Sequence, residues 1–528
     1  MYTLRSIVFF IVFSFLGFIG YAQDSEFILG KLIDSITREP VVFATVRIKD
    51  KALGVISNAD GSFKIPKRFK ISGELLEISS MGYDTKTVSL SNFKYDSIEL
   101  IKMKSSLFEL DEVVVREKRA RKQELTASQI IERSIEKLSE NLPENPYSYI
   151  GYYRDYQFNN TIYTNLNESL FEVYDQGFRS SDYKASKFII LESINNTDFP
   201  IDTIGRRPYD YKGRTKTIPN AFLDSYGGNE YTILRIHNPI RNYKINSFSF
   251  INRFEIDFTR NHIFNKEDDV IVDGNFLHHI SFKAVDSYAL DVKGHIYVTK
   301  DNFAIQGLEY AVYDKVMNER STNKDRLLFK TKVEYVEESG KMYLSYHSME
   351  NIFTVAHQPK LQLEQVTLKL NRNSFVLKFN NALEDKSALR KSNYNVTFNG
   401  KKLRLKGLVL IEDVVELFPD LNNKNTLAML QKIKLTGEGI KINNKTLNFN
   451  LRNLKDIDGN LINENWYENR KQFREFFVQK LKLEKLSLPN DNLFMDKGKP
   501  IFNEFQPIKK DDSLNEYWMN SPLPNVEN

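Results

Sequence analysis

The sequence predicts a multidomain, mainly β chain: a small β-sandwich first, then a curved antiparallel sheet with a packed helix, then a second β-sandwich near the C-terminus. Three observations predict it. The 528 residues exceed one ordinary domain. Tyr and Phe, 27 and 38 of them, lift the aromatic share to 13%, which favours strands. Short runs alternating apolar and polar residues recur along the chain, separated by Gly, Pro, Asn and Asp. Hydrophobic residues at 41% and charged residues at 27% are the balance of a folded chain. The net charge of +5 is small for this length, and Lys and Arg are scattered among Asp and Glu, so no nucleic-acid partner is expected. With no cysteine, the chain has no disulfides, thiolate nucleophiles, iron–sulfur clusters or cysteine zinc sites.

Residues 1–22 read as a signal peptide. Arg5 supplies the positive charge, Ile7 to Ile19 is apolar, and Gly20-Tyr21-Ala22 precedes Gln23 as a small-residue cleavage site. The apolar run is shorter than the roughly 20 residues that span a bilayer. No cysteine follows it, so lipidation is not expected. No later stretch has the length and apolarity of a membrane helix. The expected location is therefore outside the cytoplasm: periplasm, outer membrane or cell surface.

Residues 23–104 form the first sandwich. Phe27 to Asp34 reads as a strand, Arg38-Glu39-Pro40 as a turn, and Val41 to Ile48 as a β-branched strand. Asn58-Ala59-Asp60-Gly61 is a tight turn whose glycine takes positive φ without steric cost. Ser62 to Ile65 and Leu75 to Ser79 supply further strands. Gly30 and Asp34, Glu39-Pro40, Ala44-Thr45-Val46, Asp60-Gly61-Ser62-Phe63 and Gly82-Tyr83 together resemble the carboxypeptidase-D regulatory-like domain, which is transthyretin-like and common in exported bacteroidete proteins. The resemblance covers residues 27 to about 102 and implies an envelope protein. Residues 105–124 read as a linker. Its segment Leu107 to Val115 is similar to one that precedes the plug of outer-membrane nutrient receptors, but too few residues follow for a plug and a large barrel.

The resemblance invites a zinc-peptidase reading of His347 and Glu350. The nearest downstream histidine, His357, is ten residues away, and Lys341 to Tyr346 alternates as a strand, placing His347 and Glu350 on opposite faces. No metal site is expected there.

Residues 125–360 form the helix and central sheet. Thr126-Ala127-Ser128-Gln129 has capping-box form, and Ile130, Ile131, Ile135, Leu138 and Leu142 recur at helical spacing before Pro143. The helix is expected to pack on the sheet. Strands are expected at 147–156, 161–165, 169–174, 231–234, 247–257, 269–272, 277–282, 290–298, 304–313, 327–335 and 342–348. The hairpin at 291–310 resembles those of periplasmic lipoprotein carriers, which implies a concave face able to hold an apolar ligand.

Residues 361–462 read as a sandwich similar to bacterial Ig-like modules. Strands are expected at 366–370, 375–379, 394–398, 403–410, 414–418, 433–435 and 447–451, closing on Asp456-Ile457-Asp458-Gly459-Asn460. A calcium loop there fails the EF-hand frame, since Leu454 and Asn465 occupy ligand positions. Residues 463–528 are expected to form a helix and extended tail. Phe473, Phe476, Phe477 and Leu481 mark one side of a charged helix or strand.

No nucleophile elbow, zincin, Walker or dinucleotide motif falls in a supporting context. The adjacent pair His278 and His279 would point to opposite faces of a strand. Catalytic, cofactor and metal residues are all expected to be none. The expected function is a non-catalytic binding or scaffolding role in the cell envelope, with an envelope protein, glycan or apolar ligand as partner. The alternative is a periplasmic carrier of a lipid or peptide through the central sheet, and an outer-membrane-embedded protein is a third reading.

Overall fold

The computed structural model describes residues 26–105 except 52, 81 and 96; 124–219 except 160–161; 229–244; 253–285 except 256 and 273–274; 290–314; 327–435; and 446–523 except 485–487, 503–505 and 510–511. The signal peptide at 1–22 and nearly all of the 105–124 linker lie outside the described residues. The chain is mainly β and divides into two compact units. One comprises residues 1–209, 218–353 and 471–528, and the other residues 210–217 and 354–470.

The first unit opens with seven strands: β1 (Phe27–Asp34), β2 (Thr45–Ile48), β3 (Gly54–Ile56), β4 (Ser62–Pro66), β5 (Leu75–Ser79), β6 (Lys86–Ser89) and β7 (Ile98–Met103). They form two sheets, ordered β4-β1-β7 and β3-β2-β5-β6. Strict alternation in β1 buries Ile28 and Leu32 against Val46, Ile48, Phe63 and Ile78. Gly61 turns the chain between β3 and β4 at φ +78°. A Cβ there would sit 2.4 Å from the Leu32 carbonyl, so the turn requires glycine.

Next comes helix α1 (Ala127–Glu136), capped as the sequence predicts. Thr126 accepts from the Gln129 amide at 3.3 Å, and the Gln129 side chain accepts from the Thr126 amide at 2.9 Å. Ile130 and Ile131 are buried.

The central sheet contains β8 (Tyr147–Asn159), β9 (Ile162–Asp175), β10 (Lys187–Asn195), β11 (Lys216–Thr217), β12 (His262–Lys266), β13 (Val270–Val272), β14 (Asn275–Ala284), β15 (Leu290–Thr299), β16 (Ile305–Asp314), β17 (Leu327–Glu338), β18 (Lys341–His357) and, from the far end of the chain, β26 (Trp466–Lys482). Its main order is β10-β9-β8-β26-β18-β17-β16-β15-β14-β12. Six of its described pairings shift register: β9/β10 at Ile190/Glu192, β8/β9 at Asp155/Gln157, β26/β8 at Val478/Lys480, β17/β18 at Glu334/Tyr335, β16/β17 at Val312/Tyr313 and β15/β16 at Tyr297/Val298. Bulges of this kind bend strands and increase twist, which accounts for the curvature of the sheet.

Several expected elements change. The separate strands at 161–165 and 169–174 are one strand, β9. Residues 231–234 are helical, within α2 (Glu230–Ile236). Asn229 caps it by accepting from the Thr232 amide at 2.9 Å. All seven of its residues are buried, polar Glu230, Thr232 and Arg235 included, so its polar residues do not mark a solvent face. The 247–257 strand falls mostly outside the described residues. The helix expected after residue 463 is β26: its charged positions find partners across the sheet, which local spacing does not show.

In the second unit, β19 (Leu363–Lys369), β20 (Ser374–Phe379), β23 (Leu405–Ile411) and β24 (Val414–Pro419) form a four-stranded sheet ordered β19-β20-β24-β23. A three-stranded sheet is ordered β22-β21-β25, from β21 (Tyr394–Phe398), β22 (Lys401–Lys402) and β25 (Leu447–Leu451). Phe375, Leu377, Val396, Val415 and Leu417 fill its core. The strand expected at 433–435 is the end of helix α3 (Lys424–Leu435), whose Leu430 and Ile433 join that core.

Candidate binding site

The most chemically loaded part of the molecule is the centre of the sheet, where β8 and β26 meet. Arg154 stands opposite Glu475 and Asp155 opposite Arg474. Side chains alternate between faces, so each face receives one acid and one base from this quartet.

On one face Arg154, 1% exposed, donates from Nε to Glu475 at 2.6 Å. Its Nη1 donates to Asn58 Oδ1 in the first module and to the Asn520 carbonyl in the tail at 3.2 Å. Glu475 also accepts from the hydroxyls of Tyr346 at 2.8 Å and Tyr156 at 3.2 Å. Asn520 spans β3 and β4, donating to the Ile56 carbonyl at 2.7 Å and accepting from the Lys64 amide at 2.9 Å. Gln479 donates to the carbonyls of Gly54 at 2.9 Å and Trp518 at 2.8 Å. Trp518 itself lies in the first module's core. Module, sheet and tail share one buried junction.

On the other face α2 covers the strands. Tyr231 packs on Phe171, Phe188, Tyr153 and Phe476 with ring centroids 4.6 to 5.2 Å apart. Arg474 donates from Nε to Glu230 at 2.6 Å and from Nη2 to the Tyr209 hydroxyl at 3.0 Å. Asp155 accepts from the Tyr153 hydroxyl and the Asn167 amide, each at 3.1 Å. Burial, reinforced by the charge of Glu230, raises the Asp155 carboxyl to about 7.

Beyond α2 lies a small recess lined by Tyr149, Asp175, Asp182, Arg235, Arg241 and His347 among others. Arg241 grips Asp175 bidentately at 2.8 and 3.1 Å. Arg235 donates to Asp182 and to the Tyr149 hydroxyl. Burial alone would raise Asp182, yet Arg235 and Arg241 more than offset it and hold the carboxyl below its ordinary value. Burial pushes Tyr149 up to about 12 and drives His347 and His237 down to about 3. The two acids face two guanidiniums, and at neutral pH the phenol keeps its proton and the imidazoles are uncharged. Such a set holds elements together.

The residues weighed in the sequence go their separate ways. His347 meets the Thr331 hydroxyl at 3.3 Å, Glu350 pairs with Lys471 at 2.8 Å, and His357 bonds Glu468 at 2.8 Å. His278 faces Asp269 at 3.3 Å, while His279 contacts His295 at 2.9 Å and stacks on Tyr297. Asp456 accepts from the backbone amides of Asp458 at 3.1 Å and Asn460 at 2.8 Å, the work of a polar turn. The Arg154–Glu475 and Asp155–Arg474 oppositions were missed. Their signal is the pair of matching segments Tyr152-Tyr153-Arg154-Asp155-Tyr156 and Phe473-Arg474-Glu475-Phe476-Phe477, which bring opposite charges into line when run antiparallel.

The CarboxypepD_reg-like domain family matches residues 28–115. The N-terminal module is a CarboxypepD_reg-like domain. No curated protein matches the chain. Among solved structures, a LolA superfamily protein from Nitrosomonas europaea is 14% identical, covers 43% of this chain and 86% of its own, and superposes with a TM-score of 0.20. A putative outer membrane lipoprotein-sorting protein domain from Vibrio parahaemolyticus is 11% identical, covering 42% and 83%, with a TM-score of 0.22. The Pseudomonas aeruginosa MucA/MucB complex is 7% identical, covering 58% and 96%, with a TM-score of 0.15. Superpositions this loose carry no argument about ligand or mechanism. No helix among the described residues is long and apolar enough to cross a membrane.

Proposed function

We propose that this chain is a non-catalytic binding protein of the cell envelope, in which the CarboxypepD_reg-like domain and the central sheet act as one rigid platform. The observation that carries it is the Arg154 junction, where one buried guanidinium touches the sheet, the domain and the tail at once. Joined in this way, the domain holds a fixed place on the sheet, and the strand edges and loops around it keep a fixed geometry for a partner. The leader-like residues 1–22 support export. The partner class is an envelope protein or glycan. The test is cross-linking of the tagged full-length chain in intact cells, paired with peptidase and esterase assays on the purified protein. A recurrent envelope cross-link that weakens when Arg154 is replaced supports the reading. Zinc-dependent hydrolysis of a peptide would sink it.

A second reading, carriage of an apolar ligand by the central sheet, is favoured by one observation: half-buried apolar side chains remain on the sheet surface next to the CarboxypepD_reg-like domain. The recess behind α2 does not serve it, because charged groups line that space.

A further inference from the structure

In the second unit, β23 is an end strand of its sheet, with β24 on one side and no strand on the other among the described residues. Its hairpin to β24 turns through Glu412 and Asp413, closed by Ile411 and Val414. The closing pair of a two-residue hairpin exchanges hydrogen bonds, and such pairs alternate along the ladder. Val409 and Ile411 therefore direct their N–H and C=O groups to β24, while Leu408 and Leu410 direct theirs outward. The side chains alternate too. Leu408 and Leu410 pack on the unit's core, and Val409 and Ile411 stand 46% and 68% exposed on the other face. A row of unpaired backbone groups beside exposed aliphatic side chains is a template for one more strand.

The segment Lys406-Gly407-Leu408-Val409-Leu410-Ile411-Glu412 decides which strand fits. It carries a base at one end, an acid at the other and no charge between. Both charged side chains are exposed and form no ion pair among the described residues. A second copy laid antiparallel, with Val409 on the two-fold axis, sets Lys406 of each copy against Glu412 of the other. In the same register Leu408 and Leu410 exchange backbone hydrogen bonds across the axis. Ile411 then falls opposite Gly407, whose Cβ position has no neighbour within 4 Å. Parallel pairing would instead set like charges together. Lys391 covers only the Lys406 carbonyl, at 3.2 Å, beyond the bonded Leu408–Leu410 stretch.

We propose that β23 is a dimerisation edge, joining two copies of this chain through one antiparallel strand pair centred on Val409. The inference concerns the second unit and stands apart from both functional readings.

The test uses the full chain. Because it has no cysteine, Val409→Cys introduces one thiol that can link only to another copy. Facing residues of a non-bonded antiparallel pair lie about 4.5 Å apart between Cα atoms, within disulfide reach. Mild oxidation is expected to give a covalent dimer, while Thr367→Cys, on the far strand β19, gives none. In sedimentation velocity over a concentration series, wild type is expected to shift from monomer towards dimer, weakly, as a contact of this size allows. Lys406→Glu and Glu412→Lys should each lose about tenfold in self-affinity. An equimolar mixture of the two should recover it, since every facing pair is then opposite in sign. All the positions changed are exposed, and a thermal melt checks each fold. Absence of the Val409→Cys cross-link, or an equal one from Thr367→Cys, overturns the proposal, as does a dimer that the mixture fails to restore. A chain that stays monomeric at every concentration overturns it too and leaves the edge to a different partner.

Discussion

At the scale of single residues the chain invests its stability in buried charge, and this makes strong predictions. Replacing Arg154 with methionine leaves Glu475 buried with only the Tyr346 and Tyr156 hydroxyls. Breaking a buried pair on one side typically costs about 3–5 kcal/mol, whereas replacing both members by apolar groups costs much less. Arg154→Met is therefore expected to melt well below wild type, and Arg154→Met with Glu475→Leu to recover most of the difference. Melts that fall equally would show that the pair is not what holds the junction. Asp155 and His347 contribute pH dependence of opposite sign, and His237 adds to the acid-side effect. Asp155 has a folded value of about 7 against an ordinary 3.8, so between those values the folded state holds the extra proton and stability falls as pH rises. His347 has a folded value of about 3 against an ordinary 6.5, so the unfolded state holds the extra proton and stability falls as pH drops below 6.5. Urea unfolding from pH 4 to 8 checks both. Asp155→Asn should flatten the loss towards pH 7, and His347→Gln should lessen the loss on the acid side, leaving the part due to His237.

At the scale of elements the close pairing of β8 with β26 is the most exacting contact. Gly151 faces it, and a Cβ there would stand 2.3 Å from the Phe476 ring and 2.7 Å from the Phe477 carbonyl oxygen. Backbone cannot yield as a flexible side chain can, so Gly151→Ala is expected to destabilise by about 1–3 kcal/mol, measured by denaturant midpoint. This same pairing marks where sequence reasoning ran out. Strands β1, β2 and β5 of the first module were legible because each buries alternate residues, which imposes a period of two. The α1 cap was legible because it is wholly local. Strand β26 was not, since its partner β8 lies more than three hundred residues away and its Phe473, Phe476, Phe477 and Leu481 also fit a helical stripe. Helix α2 was hidden for a different reason: it is buried on all sides, and its Glu230, Thr232 and Arg235 do not gather on one solvent face that would show its period. The central ionic groups, spread over β8, β9, α2 and β26, carry no local signature at all.

At the scale of the whole first unit, the order of the chain has a mechanical consequence. The sequence predicts a tail lying extended over other domains, and its described residues do more than that. The Trp518 ring packs 5.4 Å from Phe69 inside the CarboxypepD_reg-like domain and donates from Nε1 to the Lys64 carbonyl at 2.9 Å. Tyr517 and Met519, flanking it, pack instead with Ile150, Tyr152 and Leu170 of the central sheet. Alternate residues of one extended segment thus enter two different cores, which couples their unfolding. Removing Trp518 opens a cavity in the domain, worth about 3–5 kcal/mol, and removing Asn520 strips β3 and β4 of their side-chain link to the tail. The double variant Trp518→Ala, Asn520→Ala is expected to separate the melting of the domain from that of the sheet, giving an earlier transition that calorimetry resolves, with proteolysis confined at first to residues 26–105. A single transition that merely shifts downward would mean that the Arg154 contacts suffice to unite the two, and the tail would then be an accessory to the junction instead of its clasp.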